Sequence, residues 1–187
     1  MRTVATIFLI LLGFTAKAES VAPTCTLTSD IILANLNLDF QGFDQNMTGG
    51  WRAISNDGCY LEAAELIEIY HLQNYAALQD SQSQILYWHA GQLYGFEEIR
   101  SLAKDRFQKS INPNEPVNDD FKWNAYAKGS IAFLDNNLPD LKKFRAELAS
   151  AANPRAKLNL SVLDRMIFCF GKSYKEAYTN KAGCTPP

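Results

Sequence analysis

The chain has 187 residues, 47% hydrophobic and 20% charged, with a formal net charge of −2. That is enough polypeptide to bury the core of one domain. No block of basic residues is present, which removes the footprint that nucleic acids and anionic membrane surfaces require.

From the N-terminus, Arg2 supplies a short positive start, and Val4 to Phe14 follow as an apolar run broken only by Thr6 and Gly13. Ala16-Lys17-Ala18 then puts small residues at both positions that a signal peptidase reads. The run is shorter than the about 20 apolar residues of a spanning helix. Residues 1–18 read as a cleavable secretory signal, and residues 19–187 as a single mature helical domain beginning near Glu19. Pro23-Thr24 ahead of Cys25 does not suit a lipid anchor, so the product reads as periplasmic or secreted. Loss of Arg2 and Lys17 leaves 16 basic against 20 acidic side chains, a net −4. Later apolar stretches are all interrupted by charge, so no membrane span is expected after cleavage.

All four cysteines, Cys25, Cys59, Cys169 and Cys184, fall in the mature part. An even number in an oxidising compartment favours disulfides, and four cysteines allow three pairings. Cys25–Cys59 and Cys169–Cys184 are favoured because each closes a loop within one end of the chain, contributing about 3 kcal/mol apiece. No Cys-x-x-Cys spacing indicates a redox or zinc site.

Apolar residues recur at helical spacing nearly throughout. Ser29-Asp30 reads as the cap of a helix carrying Ile31, Ile32 and Leu36, and Gly49-Gly50 breaks the chain before Trp51. The spacing predicts helices over 59–72, 82–96, 101–111, 122–134, 139–149, 158–170 and 173–178, with the Pro-containing stretch 112–120 as the clearest loop. Glu62, Glu65 and Glu68 read as a solvated helix face rather than paired catalytic carboxylates.

The helices carry a faint internal repeat. Gly58-Cys59-Tyr60-Leu61-Glu62-Ala63 recurs one residue longer as Gly171-Lys172-Ser173-Tyr174-Lys175-Glu176-Ala177. Tyr87, Gly91, Tyr94, Ala103 and Phe107 follow at intervals of 4, 3, 9 and 4. Small residues where two helices cross allow close approach, and aromatics fill the gaps between pairs. This pattern resembles the tetratricopeptide repeat over roughly residues 48–180, although Leu141 occupies the small position of the third pair. The resemblance implies an all-α, tetratricopeptide-like array of about four helix pairs plus an N-terminal helix.

Neither Gly-x-Ser-x-Gly nor a Gly-rich phosphate loop occurs, and the two histidines, His71 and His89, lack the spacing of a helical zinc pair. No cofactor, metal or catalytic residue is expected. The repeat register instead implies a concave groove lined by the first helix of each pair. Counting back from Ala63, Ala103, Leu141 and Ala177 puts Arg52, Gln92, Ser130 and Arg165 in a row along it, with Trp88, Trp123 and Tyr126 a turn nearer the helix starts. Long polar side chains between aromatics suit a peptide or carboxylate. The expected function is an exported adaptor that binds a protein or peptide through this groove.

Two rival readings fit the same residues. One is a periplasmic small-molecule binder or enzyme whose pocket uses His89, Gln92, Asn124 and Arg165. The other is a disulfide-stabilised inhibitor or cell-envelope structural protein. Arg52 and Arg165 also suit purely structural pairing with nearby Asp44 and Asp164.

Overall fold

The computed structural model describes residues 24–180 together with 183 and 184. The expected signal segment, residues 1–18, lies outside the described residues. Among the described residues the fold is all-α, with nine α-helices and no strand. They are α1 (Ser29–Leu36), α2 (Gly50–Asn56), α3 (Tyr60–Asn74), α4 (Asp80–Phe96), α5 (Arg100–Lys109), α6 (Trp123–Leu134), α7 (Leu138–Ala149), α8 (Pro154–Phe168) and α9 (Tyr174–Thr179). A π-helical turn, Gln41–Gln45, joins α1 to α2. None of these helices is long and apolar enough to cross a membrane.

Local chemistry accounts for the helix starts. The Thr28 hydroxyl accepts from the Ile31 amide, so the first cap falls one residue ahead of Ser29. Asn153 accepts from the Arg155 amide with Pro154 in the first helical turn, and Ser173 with Glu176 forms a reciprocal capping box on α9.

The turns inside successive helix pairs share one backbone device. Gly58, Glu98, Asn136 and Gly171 all adopt positive φ, at 86°, 56°, 53° and 89°. In the first three turns the next residue's amide (Cys59, Ile99, Asn137) donates to a carbonyl five residues back, at 3.3, 2.9 and 2.9 Å. That bond closes the helix end in the Schellman manner and leads into the following helix two residues later. The fourth turn carries one extra residue, and there Lys172 donates to the Cys169 carbonyl instead.

Helices pack in sequential pairs, α2 on α3, α4 on α5, α6 on α7 and α8 on α9, with further contacts between neighbouring pairs. Gly91 makes the α4–α5 approach possible: a Cβ there would sit 2.7 Å from the Phe107 ring and 3.2 Å from the Ala103 carbonyl. Leu141 is fully buried in the third pair, where Gly129 of α6 packs on Leu163 of α8. Trp88 lies at the centre of the aromatic core, with ring centres 4.5 Å from Phe107, 4.6 Å from Tyr126 and 5.0 Å from Trp123.

The array also closes on itself. Helix α9 packs against α4, where a Cβ on Gly95 would come 2.7 Å from the Tyr174 ring. Phe96 lies between Tyr60 of the first pair (5.3 Å) and Tyr174 of the fourth (6.0 Å), and the Lys175 ammonium sits 4.3 Å from the Tyr60 ring centre. The first and last pairs thus meet over the C-terminal end of α4.

Disulfides join Cys25 to Cys59 and Cys169 to Cys184, each with a Cα–Cα distance of 5.3 Å. They are the two pairings favoured from loop closure, and such bonds suit an oxidising extracellular compartment.

Candidate functional site

The site is built around a buried carboxylate. The π-helical turn directs Phe43 and Asp44 inward, both with no exposed surface. Phe43 stacks on Tyr70 at 3.7 Å, and the Tyr70 hydroxyl donates to the Leu38 carbonyl, which fixes the turn against α3. At Gly50 (φ +55°) any Cβ would lie 1.9 Å from the Phe43 carbonyl oxygen, so only glycine lets α2 begin there and bring Trp51 and Arg52 back over the turn.

Asp44 then collects three side-chain donors. Trp51 Nε1 donates to Oδ1 at 2.9 Å, Gln45 Nε2 to Oδ2 at 2.5 Å, and His89 Nδ1 lies 2.7 Å from Oδ1. A carboxylate only accepts, so the histidine proton on that edge sits on Nδ1. Burial alone would push the Asp44 carboxyl up. The hydrogen bonds from His89 and Trp51, with the nearby positive charge of Arg52, outweigh burial and hold it below its ordinary value. Arg52 donates its Nε to the Asp44 backbone carbonyl at 2.9 Å, and its guanidinium carbon lies 4.1 Å from the Trp51 ring centre. Burial lowers the Arg52 pKa, opposed by the Asp44 charge; a guanidinium stays charged regardless.

This node forms one wall of a cleft of about 640 Å³. Helix α4 runs along its floor, contributing Ser81, Gln84, Ile85, Trp88, His89 and Gln92 on successive turns. Eleven residues at 1.5 Å each give a floor about 16 Å long. Arg52 of α2 and Tyr178 of α9 flank Gln92 at one end; Glu115 and Asp119 of the loop before α6 stand at the other. Phe121, Trp123 and Tyr126 make the aromatic side wall. The Arg52 end opens into an adjoining hollow of about 200 Å³ that shares Arg52, Gln92 and Tyr178. A larger hollow, about 780 Å³, continues from Ser81 and Gln84 toward Tyr75 and Asn114. It holds fewer convergent polar and aromatic groups, so the chemistry favours the cleft above it.

Five residues expected in the groove, Arg52, Trp88, Gln92, Trp123 and Tyr126, come together here, as does His89. Trp88 and Tyr126 are mostly core, 5% and 2% exposed, and contribute only an edge to the cleft. Two register positions fall elsewhere. Ser130 is fully buried, donating to the Tyr126 carbonyl. Arg165 lines no part of the cleft: its guanidinium donates to Ser161 and, at 2.9 Å, to the Tyr178 carbonyl, because α9 folds back over that position. Structural pairing of Arg165 with Asp164 is not found either, since Asp164 binds Arg145 at 2.6 Å. Asn124 is likewise consumed, exchanging hydrogen bonds with both backbone groups of Asn112 and so pinning the loop to α6.

The remaining predicted features are structural. Asp119 accepts from the amides of Phe121 and Lys122 just ahead of α6. Glu68 pairs with Arg106, while Glu65 is exposed to solvent. The only metal-capable cluster among the described residues is Cys25, Cys59 and Glu62, and both of its sulfurs belong to a disulfide.

Sequence reasoning did not find Asp44 as the hub, nor Gln45, Glu115 and Tyr178 as cleft residues. No periodicity marks a five-residue π-turn, and nothing in the sequence reports that α9 returns to α4. Comparison with protein-family models, curated proteins and solved structures found no match to this chain.

Proposed function

We propose that this chain is an exported helical binding protein that holds an extended peptide segment in the cleft along α4, without catalysis. The observation that carries this reading is the convergence of Arg52, Gln92 and His89 with Trp123, Phe121 and Tyr178 on one elongated hollow. A floor about 16 Å long accommodates about five residues of extended chain at 3.3 Å each. Aromatic walls supply contact area, and the polar groups fix orientation. A divergent tetratricopeptide-like ancestry is proposed with it, supported by the four positive-φ turns at near-regular spacing. Export rests on residues 1–18 and is supported by the two disulfides.

The test is retention of an N-acetylated mixed pentapeptide library by the purified protein. The expected result is selective retention by the wild type and its loss in Gln84→Trp, which fills the cleft from its floor, at an unchanged melting temperature. Retention by neither protein, or equally by both, overturns the proposal.

The Asp44–His89 pair favours a second reading, a small-molecule site or enzyme. With Nδ1 engaged, Nε2 is the histidine nitrogen left for a ligand, and the cleft volume falls in the small-molecule range. A cleft that retains no peptide but loses binding of a small ligand on His89→Gln would favour this alternative.

A further inference from the structure

We propose that the surface where α3, α4 and α5 meet around His71 is a second binding site, for a neutral carbohydrate stacked on Tyr75 and Tyr87. This goes beyond the peptide reading and does not depend on it.

The inference starts from a histidine without a partner. His71 of α3 is 7% exposed, and its Nε2 is buried with no hydrogen-bond partner. Such a group costs free energy that a ligand would offset. His71 lines a hollow of about 330 Å³ together with Glu68 and Leu72 of α3, Tyr87 of α4, and Arg106 and Lys109 of α5. Burial lowers its pKa, and the Arg106 and Lys109 charges add to that against Glu68. At neutral pH it is therefore an uncharged imidazole, one nitrogen donating and the other accepting. A hydroxyl also does both, which makes it the ligand group that matches this ring.

His71 also joins two tyrosines. Its ring centre lies 4.5 Å from that of Tyr87 and 5.6 Å from that of Tyr75, which it meets edge-on. Tyr75 is 66% exposed, so it can yield to admit a hydroxyl to His71 and still offer a face to a ligand. Both tyrosines line the larger hollow of about 780 Å³, beside Asp80, Ser81, Ser83 and Asn114. The two hollows share Tyr87 and Lys109 and so form one continuous surface, which adjoins the cleft only at Ser81 and Gln84. Aromatic faces beside short polar side chains suit a sugar, whose C–H face stacks while its hydroxyls exchange hydrogen bonds at the rim.

The charges argue against an anion. Arg106 pairs with Glu68 and Asp105, and Lys109 with Asp105 at 3.1 Å, so both cations already face carboxylates. Asp80 adds a further acid to the larger hollow. A phosphate would have to displace these partners, whereas a hydroxyl can join them through the donors and lone pairs that remain.

The experiment is saturation-transfer difference NMR of the purified protein with maltose, cellobiose, lactose and diacetylchitobiose, each offered separately. At least one should receive saturation, most strongly at its ring C–H protons. Tyr75→Ala should weaken its binding about tenfold, the loss of one stacking face, at an unchanged melting temperature. Tyr75→Phe should keep the binding, and inorganic phosphate should not displace the sugar. Absence of transfer to all four sugars by the wild type overturns the proposal, as does unchanged affinity in Tyr75→Ala. Displacement by phosphate would make this an anion site, and loss of the sugar on Arg52→Gln would put it in the cleft; either result overturns the proposal too.

Discussion

The two ends of the helical array are built from the same parts and use them differently. Each has a glycine turn, a Tyr-x-Glu-Ala helix start, a disulfide and an arginine on its first helix. At the N-terminal end the π-turn supplies a buried carboxylate, and Arg52 lies over it with two nitrogens still free. At the C-terminal end Arg165 meets the carbonyl of Tyr178 and becomes a tie between α8 and α9. The difference teaches that a register position fixes where a side chain starts, while later packing decides whether it remains available.

The largest expected effect concerns the disulfides that hold the two ends. Replacing Cys25 and Cys59 by serine should cost about 4 kcal/mol, and replacing Cys169 and Cys184 about 3, for loops of 34 and 15 residues. Urea unfolding measures both. A larger loss at the C-terminal bridge would mean that α9's closure onto α4 contributes more than loop length does.

Next comes the carboxylate that distinguishes the N-terminal end. Asp44→Ala leaves the Trp51 and His89 donors without their acceptor and should destabilise by about 3 kcal/mol in the same assay. Because the native pKa of Asp44 is lowered, the unfolded chain takes up its proton more readily. Its contribution is fully present above about pH 4, the ordinary aspartate value, and is lost as pH falls through the native value. The acid limb of a stability–pH curve should therefore be shallower in Asp44→Asn than in wild type; identical limbs would remove Asp44 from the account.

The smallest effect separates the two arginines directly. Arg165→Met forfeits the bonds to Ser161 and Tyr178 and should cost about 2 kcal/mol, whereas Arg52→Met loses one hydrogen bond and a ring contact, about 1 kcal/mol. A reversed order would break the contrast drawn between the two arginines.

Much of the fold was legible because helix periodicity and punctuation agree. The Gly58 and Gly171 turns fall where amphipathic runs stop and Ser173 where one starts, whereas α8 begins at Pro154, four residues ahead of the run read from 158. The corresponding turns at Glu98 and Asn136 carry no glycine, so their shared geometry was invisible until the backbone was seen. The site was legible only in part. Arg52, Trp88, Gln92, Trp123 and Tyr126 follow from a count along first helices, and those helices do border one hollow. The same count failed at Ser130 and Arg165 because the array closes, and closure depends on contacts between residues far apart in sequence, such as Gly95 with Tyr174. Asp44 escaped because a short turn with one inward acid has no pattern to read.

The meeting of the first and last helix pairs over α4 also sets a timetable. A polypeptide is made N-terminus first, and α9 is the final helix of the described chain. Until residues 174–179 arrive, Gln92 has Arg52 on one side and open solvent where Tyr178 will stand. Of the described helices, α9 is thus the last to be made, and the Arg52 end of the cleft has its full lining only once Tyr178 is in place.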